Sequence, residues 1–319
     1  MSFSQTVKEE LTEVRMRHED DALALISGYV LSIASLKYVS RERAWGLRFV
    51  GECKAAVSYA AKLMCHSYRL EQQMLVTQHQ RLNAKNVELV LYGKDTDRLM
   101  VDTGFAVTDE NGDRSFTQRL PENLNKDHAA RAFVRGVFLA CGSVSDPSKG
   151  CHAELVLKSE PLARKVLSIL GERGIAGKLT VRKAAWIVYL KEGEMVEDFL
   201  TFMGAGEAML AVREQRMLRE IKNNSNREVN CFSANMEKAA KASAAQVEDI
   251  MLILQERGTD CLNEQLYEAA QARLANPDLT LSQLAELLGI GKSAVNYRLR
   301  RLAVIAKEIK QELGMDTDY

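Results

Sequence analysis

Two apolar segments built on one plan constrain this chain most. The first runs Leu25-Ile26-Ser27-Gly28-Tyr29-Val30-Leu31-Ser32-Ile33-Ala34-Ser35-Leu36 and the second Ala132-Phe133-Val134-Arg135-Gly136-Val137-Phe138-Leu139-Ala140-Cys141-Gly142-Ser143-Val144, with Gly28 and Gly136 108 positions apart. Small residues recur one helical turn apart in each (Gly28 and Ser32, Gly136 and Ala140), which lets a helix pack backbone-close against a partner. The pair predicts a duplicated unit whose helices cross at a pseudo-two-fold axis, with Gly28 and Gly136 as its seam. A version holding a divalent metal would end each helix in a carboxylate, because hard cations take oxygen ligands. Those positions carry Ile33 and Cys141.

The elements around the two helices repeat in order. Ahead of the first, Val7, Leu11 and Val14 predict a short amphipathic helix over 4–16. After it come strands within 36–50, a helix over 53–66, strands over 68–78 and 86–92 joined by a turn at Asn83-Ala84-Lys85-Asn86, and a helix over 94–103. The second helix, 127–142, is followed by a strand at 152–158, a helix over 160–172, a hairpin of 177–183 and 185–191, and a helix over 193–203 stopped by Gly204. Helix–strand–strand–helix–strand–strand–helix twice over is an α+β pattern rather than the strict alternation of a parallel sheet. A further helix at 205–222 runs into Asn223-Asn224-Ser225-Asn226-Arg227, a polar stretch that reads as a linker, and everything beyond reads as helix: 233–242, 243–257, 262–275, 281–288 and 292–312.

The run from Leu281 to Arg300 fits a helix-turn-helix. Thr280 with Gln283 three residues on has capping-box spacing. Ala285 is small where the helices touch, Gly289 supplies the turn, and Val295 fills the space between, with Leu284, Leu288, Ile290, Leu299 and Leu302 completing a core. That leaves Lys292, Ser293, Asn296, Tyr297 and Arg300 on the outer face of the second helix, with Arg298 and Arg301 in the same basic stretch; residues 291–301 hold four basic residues and no acid. Asn and Arg carry the bidentate groups suited to adenine and guanine edges, and a helix start with hydroxyls suits phosphate.

Bulk composition narrows the rest. The 319 residues suffice for two or three domains with buried cores, and 46% hydrophobic with 27% charged residues is ordinary globular composition. Net charge is zero, so any nucleic-acid surface is local. The six cysteines form no C-x-x-C pair and no zinc-ligand spacing; Cys65-His66 and Cys151-His152 are isolated Cys–His dipeptides. No metal and no cofactor is expected, and thiols left free point to a reducing cytoplasm. No apolar run approaches the roughly 20 residues that a bilayer requires, and the polar start has no signal-peptide core, so no membrane role is expected.

With both ends read, the chain resembles the WhiA family of bacterial DNA-binding regulators nearly end to end. Ser2-Phe3-Ser4 with Val7-Lys8-Glu9-Glu10-Leu11 resembles the family's start and Arg135-Gly136-Val137-Phe138-Leu139-Ala140-Cys141-Gly142-Ser143-Val144 its second core helix. Asn226-Arg227, Asn230-Cys231 and Ala234-Asn235 resemble its linker signature, and Lys292-Ser293-Ala294-Val295-Asn296-Tyr297-Arg298-Leu299 its recognition helix. The first core helix departs most, with Ser35-Leu36 its clearest remnant, and Cys141 stands where the family more often has glycine. The resemblance implies an N-terminal region like the LAGLIDADG homing endonucleases, in two pseudo-symmetric αββαββα halves at 1–110 and 120–222. A linker at 223–232 and an all-α helix-turn-helix domain at 233–319, similar to a sigma-factor promoter-reading region, would follow.

The function implied is a transcription factor, tied to sporulation in some bacteria and to cell division and chromosome segregation in others, acting on double-stranded DNA at promoters in the nucleoid. Without carboxylates at Ile33 and Cys141, no catalytic residues and no DNA cleavage are expected. Lys178, Arg182, Lys183 and Lys191 with Arg41, Arg43 and Arg48 are candidates for a sheet-formed DNA saddle, or else ordinary solvated charge or a protein-docking face. The helix at 205–222 is either a docking helix for a protein partner, such as a sigma factor or another regulator, or packs on its own domain. Of the linker signature Asn226, Arg227, Asn230 and Asn235, the three asparagines either meet phosphates, fasten the domain to its neighbour, or are plain helix-start residues.

Overall fold

The computed structural model describes residues 2–79, 84–108, 114–116 and 118–314; the turn expected at 83–86 begins outside them, at Asn83. The chain divides into two compact units, residues 1–220 and 221–319.

In the first unit, α1 (Phe3–Glu13) opens with a capping box on Ser2, whose side chain accepts from the Gln5 amide while the Gln5 side chain accepts from the Ser2 amide. The first repeat follows: α2 (Glu19–Ile33), β1 (Ser35–Val39), β2 (Ala44–Gly51), α3 (Lys54–Ser67), β3 (Glu71–His79), β4 (Ala84–Tyr92) and α4 (Thr96–Asp102). A small β5–β6 ribbon (Val107–Thr108 and Arg114–Ser115) and a 3-10 turn at Glu122–Asn125 lead to the second repeat. That repeat is α5 (Asp127–Cys141), β7 (Gly142–Val144), β8 (Ala153–Leu157), α6 (Glu160–Gly171), β9 (Lys178–Arg182), β10 (Ala185–Leu190) and α7 (Gly193–Met203). The duplication is explicit in topology, since the antiparallel sheets run β1-β2-β4-β3 and β7-β8-β10-β9.

The two repeats meet through α2 and α5. Glu19, Asp20 and Asp21 crowd the first turn of α2 and Asp127 that of α5, where the helix dipole favours negative charge. Neither helix is amphipathic in the surface sense, because both sides are covered: Leu25, Val30, Phe133, Val134, Val137 and Phe138 are fully buried. One sheet face supplies the rest of this core through Leu47, Phe49, Leu89 and Leu91 in the first repeat and Leu155, Val188 and Leu190 in the second. Burying each such side chain contributes about 1.5–3 kcal/mol before entropy is charged against it.

α8 (Gly206–Arg257) is one uninterrupted helix. Residues 223–232, expected as a polar break, lie inside it, as do the separate helices expected at 233–242 and 243–257. Asn and Ser cost only a fraction of a kcal/mol each within a helix, and no glycine or proline interrupts 207–257. Residues 206–220 of α8 belong to the first unit and 221–257 to the second.

In the second unit, α9 (Glu264–Ala275), α10 (Leu281–Leu287) and α11 (Lys292–Glu312) gather with the end of α8. Ile250, Ile253, Ala270, Leu284, Ala285, Val295, Leu299, Leu302, Ala306 and Ile309 form its core. Among the described residues no helix is long and apolar enough to cross a membrane.

Candidate nucleic-acid interface

α10 and α11 form the helix-turn-helix hairpin. The Thr280 hydroxyl accepts from the Gln283 amide at 3.3 Å and the Gln283 side chain accepts from the Thr280 amide at 2.9 Å, fixing where α10 starts. Gly289 has φ +62° in the turn, a left-handed conformation that only glycine adopts without strain. Ala285 and Val295, both buried, stand where the two helices meet, and Leu288 and Ile290 pack on the core from the turn.

The core side of α11 is set by Val295, Leu299, Leu302, Ala306 and Ile309, which forces the opposite arc outward. Ser293, Tyr297, Arg300 and Arg301 are exposed there, Asn296 is half-buried at the edge of the same arc, and Lys292 is exposed at the helix start. Tyr297 is 66% exposed, far more than a phenol kept for packing. The first turn of α11 contains no acid, and its N-cap Gly291 offers no side chain to the first amides, leaving them open to an external acceptor. Arg298 departs from the expectation: its guanidinium donates to Glu268 of α9 at 2.8 Å, and its side chain is only 13% exposed. It lies toward α9 because its helical position falls beside Leu302 rather than on the outer arc.

The basic residues of the two sheets are engaged to different degrees. Register places Arg48 beside Val90 and Val50 beside Glu88, so Arg48 and Glu88 share the sheet face away from Leu47 and Phe49. Glu88 accepts from Arg48 Nε at 2.9 Å and Lys37 Nζ at 2.7 Å. Hydrogen bonds from Arg48 and then Lys37 hold its carboxyl down at about 2. Arg48 is therefore already engaged. Arg41 and Arg43 lie in the β1–β2 turn and are exposed. In the second sheet Lys178, Thr180 and Arg182 alternate with Leu179 and Val181 as the sequence pattern predicts. Arg182 reaches Glu154 at 3.8 Å, Lys191 lies over the Tyr189 ring at 5.3 Å, and Lys183 is exposed in the tight turn beyond β9 with φ +49°. Arg182, Glu154, Tyr189 and Lys191 rim an open cleft of about 450 Å³ with His152 and Ile187.

The linker-signature residues Asn226, Arg227, Asn230 and Asn235 all lie on α8, exposed. They sit mid-helix, not at a helix start. Asn235 donates to Cys231 Sγ one turn earlier at 3.7 Å.

At the far end of α2 and α5 stand Ile33 and Cys141, the last residues of the two helices. Burial pushes the Cys141 thiol up to about 12. A neutral thiol and an alkyl chain give Mg²⁺ or Mn²⁺ no hard oxygen ligand, so these residues do not fit the group. Among the described residues no cluster of three or more His, Cys, Asp or Glu is arranged to hold a metal ion.

Three partners here escaped the sequence: Glu88, Glu154 and Glu268. Each meets its cation across strands or helices far apart in sequence, and no local spacing signals such a pair.

Residues 130–222 match the WhiA LAGLIDADG-like domain and residues 225–306 the WhiA C-terminal HTH domain. The chain is 35% identical over 316 residues to a probable cell division protein WhiA of Carboxydothermus hydrogenoformans, covering 97% of this chain and 98% of the relative. It is 33% identical over 316 residues to one from Clostridium acetobutylicum, covering 98% and 99%. Full-length DUF199/WhiA from Thermatoga maritima has the same fold, with a TM-score of 0.60 at 22% identity over 97% of this chain and 99% of that one. The N-terminal LAGLIDADG domain of DUF199/WhiA matches with a TM-score of 0.51 at 20% identity over 64% of this chain and 90% of that one. Two domain matches in the right order, and relatives alike along their whole length, place this chain in the WhiA family.

Proposed function

We propose that this chain is a sequence-specific, DNA-binding transcriptional regulator without nuclease activity, acting at promoters in the nucleoid in support of cell division, chromosome segregation or sporulation. The observation that carries the reading is the outer arc of α11, where Asn296 and Arg300 are flanked by Lys292, Ser293, Tyr297 and Arg301 beside an acid-free helix start. In a major groove, Asn296 and Arg300 read base edges while the flanking side chains and first amides hold phosphates. Naming of the full-length relatives as probable cell division proteins supports the cellular role.

Selection of bound duplexes from random DNA by the full chain tests the reading; a defined consensus is expected. Equal binding to all duplexes, varying only with salt, would refute sequence reading. Incubation of the selected duplex with Mg²⁺ or Mn²⁺ is expected to leave it intact. Metal-dependent nicking that is lost on Cys141→Ala would overturn the non-enzymatic part.

A second reading, a protein-recruiting scaffold addressed to DNA by its tail, is favoured by one feature of the second unit. Ile221, Val229, Phe232 and Met236 of α8 are each more than half exposed, and at about 100° per residue they share one face. The saddle at Arg41, Arg43, Lys178, Arg182, Lys183 and Lys191 serves DNA in the first reading and protein in the second. Binding of residues 1–220 to duplex at low salt separates them.

A further inference from the structure

Lys8 lies where an exposed amphipathic helix would not put it. On α1 its neighbours Val7 and Leu11 are fully buried, and Lys8 itself is only 9% exposed. α1 packs against α3, α5 and β7. It is pinned there by Ser4, whose hydroxyl donates to the Val144 carbonyl at 2.7 Å and accepts from the Val144 amide at 2.8 Å. That clasp sits three residues beyond Cys141, the last residue of α5. The Lys8 ammonium consequently reaches the end of the seam: it stands 6.0 Å from the centre of the Phe138 ring, and its electrostatic neighbours are the Cys141 and Cys53 thiols and Glu52. The Cys141 sulfur in turn meets the Ser32 hydroxyl of α2, so groups from both seam helices converge on this place. Tyr29 of α2 shares the same two thiols as neighbours, and its hydroxyl is buried with no hydrogen-bond partner among the described residues.

A divalent ion needs converging carboxylates and a space free of positive charge. This end of the seam offers neutral thiols, an alkyl chain and one ammonium, with the Glu52 carboxylate facing that ammonium. We propose that Lys8 is a built-in cation that takes the place of a metal ion between α2 and α5, so that the site is closed by an added charge as well as by lost ligands. The ammonium and a divalent cation repel each other in this desolvated setting, where such forces exceed those in water. Restoring acids at Ile33 and Cys141 would then give Lys8 its ion-pair partners instead of creating a metal site. The inference rests on reading positions 33 and 141 as the lost ligand positions.

The test is Mn²⁺ titration of full-length variants, followed by electron paramagnetic resonance. Ile33→Asp/Cys141→Asp is expected to bind Mn²⁺ at least about tenfold more weakly than Lys8→Met/Ile33→Asp/Cys141→Asp. Equal affinity of the two overturns the role of Lys8. A folded triple variant with no Mn²⁺ site overturns the assignment of the ligand positions and the proposal with it. Should the triple variant not fold, thermal denaturation of wild type, Lys8→Met, Cys141→Asp and Lys8→Met/Cys141→Asp decides. Lys8 is expected to rescue Asp at 141, so that the double variant melts below the sum of the single effects; additive effects refute the pairing. Cleavage of DNA by the wild-type chain would refute the proposed function while leaving these readouts unaffected.

Discussion

Gly28 and Gly136 make the same contact on each other's helices. A Cβ on Gly28 would lie 2.1 Å from the Phe133 carbonyl oxygen, and a Cβ on Gly136 would lie 2.1 Å from the Leu25 carbonyl oxygen. Leu25 and Phe133 are separated by the same 108 positions as the glycines, so the relationship is one contact repeated by a pseudo-two-fold axis. Real Cβ atoms do not approach backbone oxygen this closely, and the obstructing atoms belong to helices buried on both sides. Alanine at either glycine must therefore push α2 and α5 apart.

Gly136→Ala is expected to destabilise the chain by about 3 kcal/mol or more, at or beyond the upper end of overpacking effects, with Gly28→Ala similar. The check is denaturant unfolding of the full chain. Gly171→Ala at the end of α6, where an added Cβ meets nothing within 4 Å, is the control and is expected to be neutral or mildly stabilising. A tolerated Gly136→Ala would mean that the seam is not backbone-close.

This seam was legible in the sequence because small residues one turn apart have few other uses inside an apolar helix. The helix-turn-helix was legible for a related reason: its cap, turn glycine and core positions are all local. What escaped is non-local or compositional. The Asn-rich stretch at 223–226 reads as a break, yet continues α8, since helix termination depends on caps and breakers more than on polarity. β7 is only three residues long and reads as the tail of the helix before it. Lys8 sits among glutamates on a short amphipathic helix and reads as surface; only the docking of α1 buries it. Arg298 and Arg301 are indistinguishable by composition, and only the position of α9 takes Arg298 off the outer face.

Glu88 makes the first sheet acid-sensitive. Hydrogen bonds from Arg48 and Lys37 hold its carboxyl at about 2, below the ordinary value near 4.5. A depressed folded pKa means that the contribution is present above the unfolded value and is lost as pH falls from about 4.5 towards 2. Because Arg48 and Lys37 are each about 40% exposed, solvent screening reduces the effect to about 1–2 kcal/mol. Glu88→Gln is expected to lower stability at pH 7 by that amount and to flatten the stability profile between pH 5 and 3. An unchanged profile in the variant would assign the acid sensitivity elsewhere.

Glu197 anchors the start of α8. Its side chain is 4% exposed and accepts from Arg213 Nε at 3.0 Å and Arg216 Nε at 2.7 Å. Burial raises its pKa, but the hydrogen bonds from Arg216 and Arg213 outweigh that and leave it lowered. Replacing it by Ala leaves both guanidinium groups without their buried acceptor, at a cost of about 1–3 kcal/mol. Glu197→Gln, which keeps one acceptor, is expected to fall between. The measurement is the denaturation midpoint of the full chain; equal midpoints for wild type and Glu197→Ala would show that the arginines find water at no cost.

Arg298 and Arg300 are two residues apart and face different partners. Arg300 lies on the exposed arc of α11 with Asn296, whereas the Arg298 side chain is mostly buried and bonded to Glu268. If α11 reads DNA with that arc, the two arginines should fail in opposite ways. Arg300→Ala is expected to leave the melting temperature unchanged and to relax base preference at one position of the selected site by about 1–3 kcal/mol. Arg298→Ala is expected to lower the melting temperature, because it frees α9 from α11, and to keep the base preference of the molecules that remain folded. Glu268→Ala should reproduce the Arg298→Ala effect without touching DNA. Loss of base preference in Arg298→Ala with an intact site in Arg300→Ala would show that the opposite face of the helix enters the groove.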